Sequence, residues 1–271
     1  MKRTALPFRA AAWFGPVILF ALAFGAPCFG QAPITEGLVA RWSGDGNAKD
    51  SAGHSDGQVS GGVGYVPGPA GQAFQFDGGS AKVDFGPAAG NFGARDFTIA
   101  CWMKSDCKNR HEAFLAKRAS CDGASSFWEV RIGGPGYPDR PSGSLVFCME
   151  AGDHTDSNNL LSSHPMNDGL WHHVAWVRQS TSSGTINCLI YVDGALDNSK
   201  VFVGAARDNP RANPDAIDLA NQSPLLLGQN VCQCCDGTTP YSGAAAELQL
   251  FSHALSAEEI LTIYQAGKSR Q

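Results

Sequence analysis

Along residues 37–265 the apolar positions fall in short runs, and Gly, Asp, Asn, Ser or Pro closes almost every one. Such punctuation fits antiparallel strands joined by tight turns, because helical patterning would return apolar residues every three to four positions. It predicts strands over 38–43, 73–76, 81–85, 97–104, 127–132, 145–150, 171–179, 187–192, 225–227 and 246–251. In Phe97-Thr-Ile-Ala-Cys-Trp-Met-Lys104, alternation sets Phe97, Ile99, Cys101 and Met103 on one face. Thr98, Ala100, Trp102 and Lys104 take the other, as in a sheet packed on one side. Trp42, Trp102 and Trp176 lie in such alternating runs and are expected in the core. Asp193-Gly194, at the end of Ile186-Asn-Cys-Leu-Ile-Tyr-Val192, predicts a hairpin turn. One helix is expected, of a turn or two. Ser256 and Glu259 fit a capping box, Ile260, Leu261, Ile263 and Tyr264 form an apolar stripe, and Gly267 suits a stop. Glu258 and Glu259 then serve the helix start rather than catalysis.

Residues 1–30 stand apart from this pattern. Lys2, Arg3 and Arg9 precede the apolar run Ala10–Phe24, and small residues follow, which reads as a secretory signal peptide. Gly25-Ala-Pro-Cys28 departs from the usual lipoprotein pattern Leu-Ala-Gly-Cys, so lipidation at Cys28 is the weaker reading. Residues 31–271 form one domain, secreted, periplasmic or on the cell surface, with no second apolar run long enough to span a bilayer. Without the leader, 17 basic residues face 25 acidic ones, which argues against nucleic acid as a partner. The loop from Gly204 to Ser223 is polar and proline-containing, a place where function often sits.

Cysteine usage follows the compartment. Cys101, Cys107, Cys121, Cys148, Cys188, Cys232, Cys234 and Cys235 remain after the leader, an even set that points to disulfides. A zinc cluster on Cys232-Gln-Cys-Cys235 lacks the paired Cys-x-x-Cys or Cys…His spacing such sites use. Cys107 and Cys121 flank a polar loop and suggest a local clasp, and Cys101, Cys148 and Cys188 suggest staples between strands or sheets.

Several segments resemble a known family. They are Gly37-Leu-Val-Ala-Arg-Trp-Ser-Gly-Asp-Gly-Asn47 with Lys49-Asp-Ser-Ala-Gly53, Gly71-Gln-Ala-Phe-Gln-Phe-Asp-Gly78 and Asp96–Met103. Trp171-His-His-Val-Ala175 with Tyr191-Val-Asp-Gly194, and Ser242–Ser256, complete the series. In this order they are similar to the laminin-G-like, concanavalin-A-like jelly-roll domains. The resemblance implies an antiparallel β-sandwich, closed here by the short C-terminal helix, and a recognition module more than an enzyme. It also implies a calcium site at the sandwich rim, with Asp45, Asn47, Asp50 and Glu247 as ligands. The family's closing aspartate is replaced by Ala246, and Ca²⁺ wants six or more oxygens, several of them carboxylates. The alternative is that Asp45-Gly46 is a turn whose side chains bond local backbone.

For function, three classes compete. A lectin needs an aromatic platform for the apolar faces of sugars and polar groups to read hydroxyls. Tyr137, Trp128, Trp171, Tyr241 and His154 are the candidates, with Arg131 and Asp153 as polar partners; for Trp128 and Trp171 a place in the core is the stronger alternative, and Tyr137 on its Gly/Pro-rich turn is preferred. The expected partner is a polysaccharide or glycoconjugate. A protein-protein or cell-surface adhesion module is the second reading. A glycoside hydrolase is the third, and it requires two carboxylates about 5–10 Å apart. Glu150 and Asp153, the nearest pair, fall on opposite faces of an extended strand. No Gly-x-Ser-x-Gly turn supports a serine nucleophile beside His172 or His173.

Overall fold

A computed structural model describes residues 32–108, 110–121, 125–134, 142–151, 158–182, 185–202, 217–232 and 237–269. The described strands are β1 (Leu38–Trp42), β2 (Gln58–Ser60), β3 (Gly64–Gly68), β4 (Gly71–Asp77), β5 (Lys82–Asp84), β6 (Phe97–Lys104), β7 (His111–Lys117) and β8 (Ser126–Ile132). They continue with β9 (Ser144–Ala151), β10 (Asn158–Pro165), β11 (His172–Ser180), β12 (Ile186–Val192), β13 (Ala195–Phe202), β14 (Leu225–Leu227), β15 (Thr238–Pro240) and β16 (Ser242–Phe251). A single described helix, α1 (Ala257–Lys268), follows. The strands form two sheets. The first runs β13-β12-β11-β6-β16-β4-β3 with β1 beside β16, and the second runs β10-β9-β8-β7-β14-β5-β2 with β15 beside β7. Every pairing is antiparallel except β15 against β7.

Alternation builds the core as the sequence predicts. Phe97, Ile99, Cys101 and Met103 of β6 meet Trp128, Val130 and Ile132 of β8 and Leu145, Phe147 and Met149 of β9, all buried between the sheets. Trp42 and Trp176 join them. Phe92 stacks on Phe97 with ring centroids 4.1 Å apart, and Trp128 packs on the same pair.

The outer face of the first sheet departs from the one-sided expectation. Thr98, Ala100 and Trp102 are buried as well, because α1 lies over them. Ala100 and Ala175 offer a shallow surface to Leu255 and Ile260, and Ala73, Ala244 and Ala246 do the same around Trp102 and Tyr264. The capping box is formed, with Ser256 accepting from the Glu259 N–H and the Glu259 carboxylate accepting from Ser256. The helix is longer than expected. Its 12 residues carry it past Gly267 to a C-cap at Ser269. Gly267 does not stop the helix; it lets the backbone approach the Trp102 indole, where a Cβ would sit 2.8 Å from Cε2.

The cysteines depart further. Cys121 bridges Cys232 across 111 residues of sequence, with Cα atoms 5.2 Å apart, so the expected Cys107–Cys121 clasp is replaced by a long-range tie. Cys101, Cys107, Cys148 and Cys188 carry free thiols. Cys101 and Cys188 sit in the apolar core, where burial pushes the thiols far above their usual range and they pack as small hydrophobes. Cys234 and Cys235 lie outside the described residues, as does most of the 204–223 loop.

The two sheets are also laced at one edge. Asn198 on β13 donates to the Leu161 carbonyl of β10 (2.8 Å), and Lys200 to that of Asn159 (3.2 Å). Asp197 accepts from the Ser163 N–H and pairs with His164.

Candidate binding cleft

At one end of the first sheet, the end of β6, the start of β16 and parts of β3 and β4 leave a cleft of about 490 Å³. The turn ahead of β11 closes it. Trp171, on that turn, is half-buried and rests near Val66 of β3 and the Ala244 cluster. Lys104 ends β6, Ser105 and Asp106 follow it along the cleft, and Gln75 lines it from β4. Lys104 and Asp106 are exposed, so both charge signs stand beside an indole.

Behind the floor lies Glu112, fully buried on β7. Ser105 Oγ donates to one of its oxygens at 3.3 Å and the Ser242 N–H to the other at 3.2 Å. Arg110 stands 3.7 Å away. Burial outweighs these partners and holds the Glu112 carboxyl above its usual range. The carboxylate thus fixes two residues of the cleft wall without facing it. Tyr241 does similar work from the core. Its hydroxyl donates to the Lys104 carbonyl at 2.7 Å, which pins the strand end that presents Lys104.

Of the residues proposed from sequence, Trp171 alone among those described lines this cleft. Trp128 is a correction: it is 0% exposed, and its indole N–H donates to the Gly90 carbonyl at 2.9 Å. Its ring fills the core under Phe92 and Phe97, so it meets no solvent-borne ligand. Arg131 is mostly buried in an ion cluster. It pairs with Glu129, which also takes Arg118 at 2.8 Å and Asn230 at 3.1 Å. Tyr137, Asp153 and His154 lie outside the described residues. Lys104, Asp106, Gln75 and Ser242 were missed, because the cleft joins the β3–β4 hairpin, the end of β6, the turn ahead of β11 and the start of β16, which are remote in sequence. The one local signal was Lys104 breaking an apolar run at the end of β6.

The rim residues do not fit calcium. Asp50 accepts the N–H groups of Arg41, Ala52 and Gly53 on one oxygen and that of Ser55 on the other. Burial pushes this carboxyl up, and the four donors outweigh it and hold it low. Asp45 accepts from Gln72, Asn47 from Lys49, and Glu247 takes both Nε and Nη2 of Arg41 at 2.9 and 2.7 Å. Among the described residues no three acidic, His or Cys side chains converge on a metal position. Asp50 and Asn47 brace their turns through local bonds from the Ala52 and Lys49 N–H groups, and Asp45 ties its turn to β4 through the Gln72 N–H.

His172 and His173, adjacent on β11, have opposite surroundings. His172 Nδ1 lies 2.9 Å from Asp193, and Nε2 lies 3.2 Å from Asp168. His173 is 1% exposed, with ring centroids 5.5 Å from Trp102 and 6.0 Å from Tyr264. Burial holds it down at about 4.

Two face-packed antiparallel sheets and a rim cleft define a jelly-roll sandwich. The sequence profile described as "Laminin_G_3: Concanavalin A-like lectin/glucanases superfamily" matches residues 77–261. The chain belongs to this family. No curated protein matches it. Among solved structures it is similar to the binding domain of Paraclostridial Mosquitocidal Protein 1, at 15% identity and a TM-score of 0.61, over 85% of this chain and 52% of that one. It is similar to domain 4 of AbnA, a GH43 extracellular arabinanase from Geobacillus stearothermophilus solved with arabinotriose. That match has 16% identity and a TM-score of 0.58, over 84% of this chain and 98% of that one. A third is the binding domain of botulinum neurotoxin DC in complex with SialylT, at 15% identity and a TM-score of 0.60, over 88% of this chain and 52% of that one. The chain thus spans about half the length of the toxin domains it matches. These likenesses establish the shared fold.

Proposed function

We propose that the protein is a secreted, non-catalytic recognition module that binds carbohydrate in the Trp171 cleft. The observation that carries this reading is a half-buried indole flanked by exposed Lys104 and Asp106 and by half-buried Gln75. An aromatic face takes the C–H side of a sugar ring, and nearby donors and acceptors of both signs read its hydroxyls. Support comes from the sugar-bound arabinanase domain and the SialylT-bound toxin domain on the same fold. The non-catalytic reading rests on the carboxylates. Asp106 is at the cleft, whereas Glu112 is sealed behind it by Ser105 and Ser242. A disulfide and the leader-like first thirty residues support export. Leu170, 62% exposed beside Trp171, favours a protein partner as the second reading.

The test is a screen of neutral and acidic oligosaccharides, arabino-oligosaccharides included, followed by calorimetry on any hit. Trp171→Ala is expected to weaken binding by about tenfold or more (~1.4 kcal/mol), with the melting temperature moved by only a few degrees. Binding that survives Trp171→Ala would remove the cleft from consideration. Silence across the screen would move the reading to a protein partner.

A further inference from the structure

His172 sits where a turn and a hairpin meet. Asp168 belongs to the turn that carries Gly169, Leu170 and Trp171, and its Oδ1 also accepts the Leu170 N–H at 2.8 Å. Asp193 opens the β12–β13 turn, with a left-handed φ of 50°, and its Oδ1 accepts the His173 N–H at 3.0 Å. Each ring nitrogen of His172 faces a carboxylate. Carboxylates only accept, so both contacts are hydrogen bonds only when both nitrogens carry protons, which is the imidazolium. A neutral ring has one N–H and turns a lone pair toward the other aspartate.

We propose that His172 is the positioning residue of the cleft: as an imidazolium bridging Asp168 and Asp193, it fixes the turn that presents Trp171, and the cleft loosens when the ring loses its proton. This rests on the reading of the Trp171 cleft as the binding site. The charged groups facing the ring are Asp193 from the β12–β13 turn and Asp168 from the turn ahead of β11. On β6 the residue opposite is Met103, and α1 brings Leu261 and Tyr264 against neighbouring Gly194. The Asp193 hydrogen bond, against the opposing effect of burial and with help from Asp168, raises the His172 pKa above 6.5. Both aspartates are held below the usual 3.8, where burial works against them and their hydrogen bonds prevail. A raised histidine keeps its bridge intact below the unfolded value and loses it as pH climbs through the folded one. Asp168, 44% exposed against 38% for Asp193, is the partner with more freedom to let go.

The experiment follows the ring and the indole separately, without a glycan. Histidine titration by NMR on the purified protein is expected to place the His172 midpoint above 6.5. Acrylamide quenching of Trp171, isolated as the difference between wild type and Trp171→Phe, is expected to rise with the same midpoint between about pH 6 and 9. Asp168→Asn, whose amide oxygen still accepts the Leu170 N–H, is expected to lower the midpoint and move the quenching transition with it. His172→Gln should abolish the transition while the protein stays folded. A midpoint at or below 6.5, or Trp171 quenching flat across this range, overturns the proposal. A failed oligosaccharide screen would instead sink the carbohydrate reading and leave these two readouts standing.

Discussion

Replacing Gly267 by alanine sets helix propensity against space. Inside a helix the change should stabilise by up to about 1 kcal/mol. Here the new methyl would enter the Trp102 indole, whose ring already packs on Tyr264 and His173, with centroids 5.7 and 5.5 Å away. Overpacking of this kind costs about 1–3 kcal/mol, so the net effect is expected to be a loss of roughly 1–2 kcal/mol in urea unfolding. A gain in stability would show that the helix shifts freely on the sheet. The same residue marks the limit of reading a chain one position at a time. Near the end of an apolar stripe, glycine reads as a stop, and only the indole brought from 165 positions upstream gives it another role. Trp128 and Trp171 show the same limit. Both are tryptophans at strand starts or interiors, and what separates them is the layer above each, Phe92 and Phe97 for one and open cleft for the other.

Strands carried by an unbroken or alternating apolar run were legible, and β6 and β14 fall at the predicted bounds. The strands that escaped carry polar residues for long-range reasons. On β7, Glu112 and Lys117 are 0% exposed. Glu112 is satisfied from Ser105 and Ser242, and Lys117 donates to the Pro87 and Ser223 carbonyls at 2.7 Å each. Burial lowers that ammonium to about 8. The lateral strand β13 is polar because its side chains reach across to β10. Strand β11 makes a prediction of its own, since its two histidines pull stability in opposite directions. His173 is depressed to about 4 from 6.5, so folding requires it neutral and its contribution is present above 6.5. That contribution fades as pH falls from 6.5 through about 4, reaching on the order of 3 kcal/mol. His173→Phe is expected to flatten this acid limb when melting temperature is followed across the range. An acid limb unchanged in the variant would assign the loss to other groups.

At the scale of the whole chain, the sandwich was fully legible and the cysteine network was not. Spacing cannot tell a clasp from a thiol buried in an apolar layer, because the outcome is decided by which loops the topology brings together. Cys121 and Cys232 meet because the segments that follow β7 and β14 converge on Glu129, which takes Arg118 from one and Asn230 from the other. Closing a loop of 111 residues constrains the unfolded chain strongly, and removal of such a bridge typically costs about 2–5 kcal/mol. Cys121→Ser with Cys232→Ser is expected to lower unfolding free energy by that amount, and a reductant should do the same to wild type. A double variant as stable as wild type would mean that the second sheet holds this corner unaided.

The lacing of β13 to β10 has a consequence for how the molecule behaves among its own kind. Alternate main-chain groups along β10, at Asn159, Leu161 and Ser163, are already engaged by side chains from across the seam. An incoming foreign strand would have to displace them before it could add to the sheet there. Crowded copies are thereby denied one of the usual routes from a β-rich monomer to fibrils.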